Sequence, residues 1–235
     1  MLVLSSRKEQ DLQELAAALP GSGHRFAVAD LAEEGEALRL LGEAGDLDIL
    51  VANAGLPAAG KLTGFSQDEV GRALRVNLES PVRMTRELLP AWLERDSGHF
   101  LYVSSMSGFI STPRASLYAA TKFGLRGFAL NLREDLRPTG IGVSVITPGA
   151  IADAGMFADS GASPPPGLGT GTPEQVAAAV VKAIKRNRAE ISVAPRRQRA
   201  LGRFSMMVPE LSGRVSNRQA AKVADAIARG QTDKR

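Results

Sequence analysis

The 235-residue chain has no cysteine, one tryptophan, two tyrosines and two histidines, and aromatic side chains make up only 5% of it. Without cysteine there are no disulfides, no thiolate zinc sites and no cysteine nucleophile. His24 and His99 stand far apart, so no metal site is expected and a Ser-His-Asp hydrolase is disfavoured. No apolar run approaches the length of a membrane span, and no charged region precedes the short apolar start Leu2-Val3-Leu4. The expectation is a soluble, cytoplasmic protein with no transmembrane segment. What is present is ordinary globular composition, 44% hydrophobic and 23% charged, in a length that suits one α/β domain.

The net charge of +4 is unevenly spread. Residues 196–235 carry ten Lys/Arg against Glu210, Asp225 and Asp233, which leaves the first 195 residues with a slight negative excess. This basic extension holds one Phe and no Tyr or Trp for base stacking, so a nucleic-acid partner is not expected. A solvated helical face or a subunit contact fits it better.

Short Val/Ile/Leu-rich runs at 2–6, 25–29, 47–52, 99–104, 142–146 and 190–193 alternate with helical patterns at 9–19, 34–41, 67–95, 116–137 and 173–186. Such alternation predicts an α/β fold with a doubly wound parallel sheet. The 67–95 helix is expected to break near Pro81. Thr172-Pro173-Glu174 supplies an N-cap, a first-turn proline and a first-turn acid. The Gly/Ala/Pro-rich stretch 153–171 reads as a long mobile loop, and 219–229 could form one amphipathic helix.

Tyr118 and Lys122 lie four residues apart on a predicted helix, so a phenol and an ammonium share one face. A neighbouring cation favours phenolate and is expected to draw the tyrosine down toward a working range for acid/base chemistry. Tyr-x-x-x-Lys alone is common by chance. Ser105, just past a predicted strand end and 13 residues earlier, adds a hydroxyl at the carboxyl edge of the sheet, where ligands of such folds bind.

With these residues the chain resembles the short-chain dehydrogenases/reductases from Met1 to about Pro195. Ala52-Asn53-Ala54-Gly55, Asn77 in Arg75-Val76-Asn77-Leu78, Pro148-Gly149-Ala150-Ile151 and Asp30-Leu31 match further motifs of the family in order. The resemblance implies a Rossmann-like fold over 1–195, followed by the basic helical extension 196–235. It also implies hydride transfer between NADP(H) or NAD(H) and a carbonyl or alcohol substrate. Tyr118 would act as general acid/base, Lys122 would bind the nicotinamide ribose and assist the tyrosine, and Ser105 would polarise the reacting oxygen. Asn77 would hold a proton-relay water. Asn53, Ala54, Gly55, Asp30 and Leu31 would line the adenosine side, and Pro148, Gly149 and Ile151 the nicotinamide. Homodimers or homotetramers form through the 67–95 and 116–137 helices in many members.

Cofactor choice follows from charge. An acid at the end of the second family strand suits NAD, and a cation in its place suits NADP. Here Ser6 stands where the acid would, and Arg7 follows with a planar fork suited to phosphate, the lesser alternative being that Arg7 and Lys8 begin a solvated helix. NADP(H) is the expected cofactor. Asp153 stands where the family has a threonine near the carboxamide. The family's first strand, its Thr-Gly-x-x-x-Gly-x-Gly loop and its first helix have no counterpart here, because Gly21-Ser22-Gly23 follows a helix and precedes a strand. Three readings stay open: a start further upstream, a rearranged sheet, or a non-catalytic relative acting in an interaction or structural role.

Overall fold

A computed structural model describes residues 1–162, 169–208, 210, 221 and 223–230. Its elements run β1 (Val3–Ser6), α1 (Glu9–Ala18), β2 (Arg25–Val28), α2 (Glu36–Ala44), β3 (Ile49–Ala52), α3 (Gln67–Leu74), α4 (Ser80–Glu94), β4 (Gly98–Val103), α5 (Ser116–Asp135), β5 (Ile141–Pro148), α6 (Gly155–Asp159), α7 (Pro173–Lys185), β6 (Glu190–Val193) and α8 (Arg196–Met207). All strand pairs are parallel, and helices cover both faces, as expected of an α/β Rossmann-like fold. On β4, Phe100 and Tyr102 pack with Trp92, Leu125 and Ala129 under α4 and α5, while Leu101 turns to the other face beneath Ala179 and Ala183 of α7. This is the period-two alternation of a strand buried on both sides. The start of α7 follows the expected chemistry: the Thr172 side chain accepts from the Gln175 N–H, and the Gln175 side chain closes the capping box.

Three features differ from the sequence expectation. The interruption of the 67–95 helix lies at a π-helical turn, Arg75–Glu79, and Pro81 already belongs to α4. Proline cannot donate to the carbonyl four residues back, and the wide turn just before it absorbs that mismatch. The 153–171 stretch contains the short helix α6, with 163–168 outside the described residues. Helix α8 lies within the 196–235 stretch expected to be helical, but its bounds carry no sequence signal, because the face it buries consists of Gly202 and Ser205, which give no apolar periodicity. Of the expected 219–229 helix, residues 223–230 are helical, and 219, 220 and 222 lie outside the described residues.

The strands form two separate sheets, β1-β2 and β3-β4-β5-β6. Among the described residues β1 pairs only with β2 and β3 only with β4, so each keeps one edge whose peptide groups have no ladder partner. Ile49 and Val51 of β3 are 42% and 44% exposed, whereas Leu101 of the fully paired β4 is 0% exposed. The β1-β2 unit is held by α2, whose Ala37, Leu40 and Leu41 pack with Ala27, Ala29 and Met84. Past β2, the Arg75 guanidinium donates to the Ala32 carbonyl at 2.5 Å and the Ser80 hydroxyl to the Leu31 carbonyl at 3.2 Å.

His99 enters β4 in the core, its Nε2 2.9 Å from the Ser144 hydroxyl. Burial, with Arg133 nearby, lowers its pKa from 6.5 to about 4. The unfolded chain takes up this proton near 6.5 and the folded chain resists it until about 4, so the neutral-imidazole contribution is complete above 6.5 and is lost as pH falls through that window. Chemical denaturation of His99→Gln should therefore lose less stability between pH 7 and pH 5 than the parent does, by about 1 kcal/mol or more. Equal losses in the two proteins would remove His99 as the acid-sensitive group.

Candidate active site

The site begins where β4 ends. Ser104 is buried and its hydroxyl donates to the Lys122 carbonyl at 2.9 Å, while Lys122 Nζ reaches back to donate to the Val103 carbonyl at 2.9 Å. Gly108 makes this approach possible, since a Cβ there would lie 2.8 Å from Ser104 Oγ and 3.0 Å from the Lys122 carbonyl oxygen. Ser105 continues the strand direction in extended conformation and caps the 3₁₀ turn Met106–Gly108 by accepting from the Ser107 N–H at 3.1 Å. Its hydroxyl also lies near enough to the Tyr118 phenol to favour the ionised form. One turn further along α5, Lys122 Nζ sits 5.8 Å from the centre of the Tyr118 ring. Ser105, Tyr118 and Lys122 are thus brought together.

Asn77 joins them from the π turn, which widens the helix at that point as such turns often do at functional positions. Its side chain is fully buried. Oδ1 accepts from the Leu56 N–H at 2.7 Å, and Nδ2 donates to the Leu56 carbonyl at 3.0 Å and to Thr121 Oγ1 at 3.3 Å. The amide therefore clamps the loop after β3 to α5. Gly55 in that loop faces the same spot: a Cβ there would come within 3.4 Å of Asn77 Oδ1, 3.7 Å of Lys122 Nζ and 3.3 Å of the Met156 methyl. The absent side chain leaves a cradle beside the lysine and Asn77. Ser104, Gly108 and Thr121 escaped sequence reasoning, because Ser104 and Gly108 act at the Lys122 backbone and Thr121 between the Tyr118 carbonyl and the Asn77 amide, contacts that leave no spacing signature.

The electrostatics depart from the simple cation-beside-phenol picture. Burial pushes Tyr118 up to about 12, against a smaller lowering by Ser105. Burial likewise pushes Lys122 down to about 8. Loss of water disfavours both charged forms and outweighs the attraction between them. At neutral pH the pair is a phenol beside an ammonium.

The candidate cofactor residues fall in three places. Ser6 and Arg7 end β1: the Ser6 hydroxyl bonds within the turn to Lys8, and Arg7 lies 3.7 Å from Asp30 across the two-stranded sheet, with half of its side chain exposed. Asp30 also accepts from the Ala32 N–H at 2.9 Å, and Leu31 packs under α2. Asn53 and Ala54 are exposed past the open strand β3. Pro148 closes β5. The Gly149 N–H donates to the Val193 carbonyl at 2.9 Å, and Ile151 bridges to Gly171. The Gln198 amide of α8 lies directly against Gly149, so this turn is covered by the extension and not left open as a bare ligand wall.

A family model described as short chain dehydrogenase matches residues 1–164. Among curated proteins, Ketoacyl reductase HetN from Nostoc sp. is 33% identical over 199 residues, covering 82% of this chain and 69% of that protein. Dehydrogenase/reductase SDR family member 7B from Mus musculus is 36% identical over 160 residues, covering 64% of this chain and half of the mouse protein. Among solved structures, the closed form of serine dehydrogenase complexed with NADP+ superposes with a TM-score of 0.69 at 28% identity, covering 81% of this chain and 82% of that one.

Removing the Asn77 amide strands a buried N–H and C=O of Leu56. Asn77→Ala should lower unfolding free energy by about 2–4 kcal/mol in urea denaturation. A change below about 0.5 kcal/mol would mean that water replaces the clamp.

Proposed function

The chain belongs to the short-chain dehydrogenase family, and on that premise we propose that it is an NADP(H)-dependent oxidoreductase acting on a carbonyl or secondary alcohol. The observation that carries the reading is the convergence of Ser105 and Lys122 on the Tyr118 phenol, with Lys122 Nζ 5.8 Å from its ring centre and Asn77 bonded to the same helix behind it. Bound nicotinamide supplies or accepts the hydride. In the reducing direction the Ser105 hydroxyl donates to the substrate oxygen, and Tyr118, protonated at neutral pH, gives that oxygen its proton as negative charge develops. The Lys122 ammonium would compensate the phenolate left behind, and its remaining N–H groups would be free to hold the ribose hydroxyls of a bound cofactor. Asn77, whose amide is taken up by Leu56 and Thr121, positions the loop after β3 and α5 around Lys122.

The residues present fit the nicotinamide end of the cofactor through this donor set. At the adenosine end, the half-exposed Arg7 suits a ribose phosphate better than a free hydroxyl, with Ser6, Asp30, Leu31, Asn53 and Ala54 alongside it and Pro148, Gly149 and Ile151 toward the nicotinamide. The NADP+ held by the structural relative supports the same choice. Met156 beside Gly55 supports an apolar substrate pocket. In this reading residues 1–195 form the catalytic domain and 196–235 a basic extension, in a cytoplasmic homodimer or homotetramer. Exposed Leu93 on α4 and Phe123 on α5 favour those helices as its contact faces. The competing reading, a non-catalytic interaction or structural protein, draws on the open edges of β1 and β3 and on Gln198 lying against Gly149.

NADPH titration separates the two: the oxidoreductase saturates, and absence of saturable binding favours the other. Tyr118→Phe should cut turnover by about a thousandfold or more with NADPH affinity within about twofold of the parent. Comparable turnover in the variant would remove the phenol from the reaction. Arg7→Gln should weaken NADPH about tenfold and leave NADH unchanged. Reduction rates should hold at neutral pH and decline above about 8 as Lys122 loses its proton.

A further inference from the structure

A cavity of about 290 Å³ opens between α5, α7, β6 and α8. Five cationic side chains, Arg126, Lys182, Arg188, Arg199 and Arg203, line it with one carboxylate, Glu190. The two partners in this wall are already matched: Arg126 makes a bidentate pair with Glu190, with both N–H···O distances 2.8 Å. Lys182, Arg188, Arg199 and Arg203 have no carboxylate partner among the described residues. Moreover, Arg199 Nε is buried and makes no hydrogen bond. A buried guanidinium N–H without an acceptor is costly, and native proteins seldom leave one unless something else fills the position.

Arg199 and Arg203 stand one turn apart on α8, so their forks share a face and converge with the lysine and arginine of α7 and its following turn. Gathering four uncompensated cations in one concavity raises the local potential and is unfavourable when the space is empty. We propose that this cavity is a binding site for a small, multiply charged phosphate-bearing anion, separate from the nicotinamide site. Guanidinium forks match the paired oxygens of phosphate, and the count of free cations suits a di- or trivalent charge. The size of the cavity, near the low end for small-molecule pockets, suits a pyrophosphate-sized group better than a whole dinucleotide.

The site also touches the active-site loop. Phe109, four residues after Ser105, forms part of the cavity wall, lies 5.4 Å beneath the Arg126 guanidinium and packs 2.6 Å from where a Gly202 side chain would begin. The absent Gly202 side chain is what lets α8 approach closely enough to bring its arginines in.

The test is isothermal titration of the full chain with inorganic pyrophosphate, and separately with glycerol 3-phosphate to distinguish free phosphate from an ester, at fixed ionic strength. The expected result is saturable one-to-one binding of one or both probes. Arg199→Gln with Arg203→Gln should weaken it about tenfold or more, while Arg196→Gln with Arg197→Gln, an equal charge change on exposed residues of the same helix outside the cavity, should leave it within about twofold. If the first pair fails to fold, Arg188→Gln with Arg203→Gln on exposed positions reads the same loss. No saturation with either probe, equal weakening by the control pair, or loss on Arg7→Gln instead would overturn the proposal. Because no step uses NADPH, failure here leaves the oxidoreductase reading intact.

Discussion

Two hydrogen bonds cross in opposite senses where α5 runs over the end of β4: the Ser104 hydroxyl donates to the Lys122 carbonyl, and Lys122 Nζ donates to the Val103 carbonyl. Together they lock the helix to the strand in both rotation and translation. Ser105 is the next residue on the strand side and Tyr118 lies one turn away on the helix side, so the clamp fixes the distance across which their hydroxyls meet. The lysine is structural and chemical at once. Its buried stem is part of the core, and its amine is both a strand anchor and a neighbour of the phenol.

Dryness follows from that clamp and sets the protonation states. A lysine enclosed this closely sheds charge readily, and a tyrosine enclosed beside it holds its proton. The pair is therefore prepared to give a proton more than to take one. The same desolvation argument explains His99, a core side chain bonded to Ser144 that stays neutral at pH 7.

The strands were legible to within about two residues, β4 and β5 because burial on both faces writes continuous apolar runs, and α7 was legible from its cap. Ser105, Tyr118, Lys122 and Asn77 could be singled out as a set because motif order constrains them jointly. Their surroundings could not. Gly108 and Gly202 matter for what they lack, Thr121 and Ser104 act on backbone carbonyls, and Gln198 reaches Gly149 from beyond the last strand. None of these leaves a periodicity. The protonation states were misjudged because spacing reports proximity, whereas burial depends on every element packed around the pair.

The π turn at Arg75–Glu79 bears on tolerance to changes of chain length. It accommodates one residue more than regular winding would, so the buried face of α4, with Met84, Thr85 and Trp92, is rotated about 100° from the register that α3 sets. Deleting one residue there would yield a smoother, locally better helix and a worse protein: Asn77 would swing off Leu56 while Trp92 turned out of the core. Surface helices usually absorb such deletions by fraying at an end. This one is pinned at both ends, by the capping box at Ser66 and by the packing of Trp92 on Phe100, so the phase error has nowhere to dissipate.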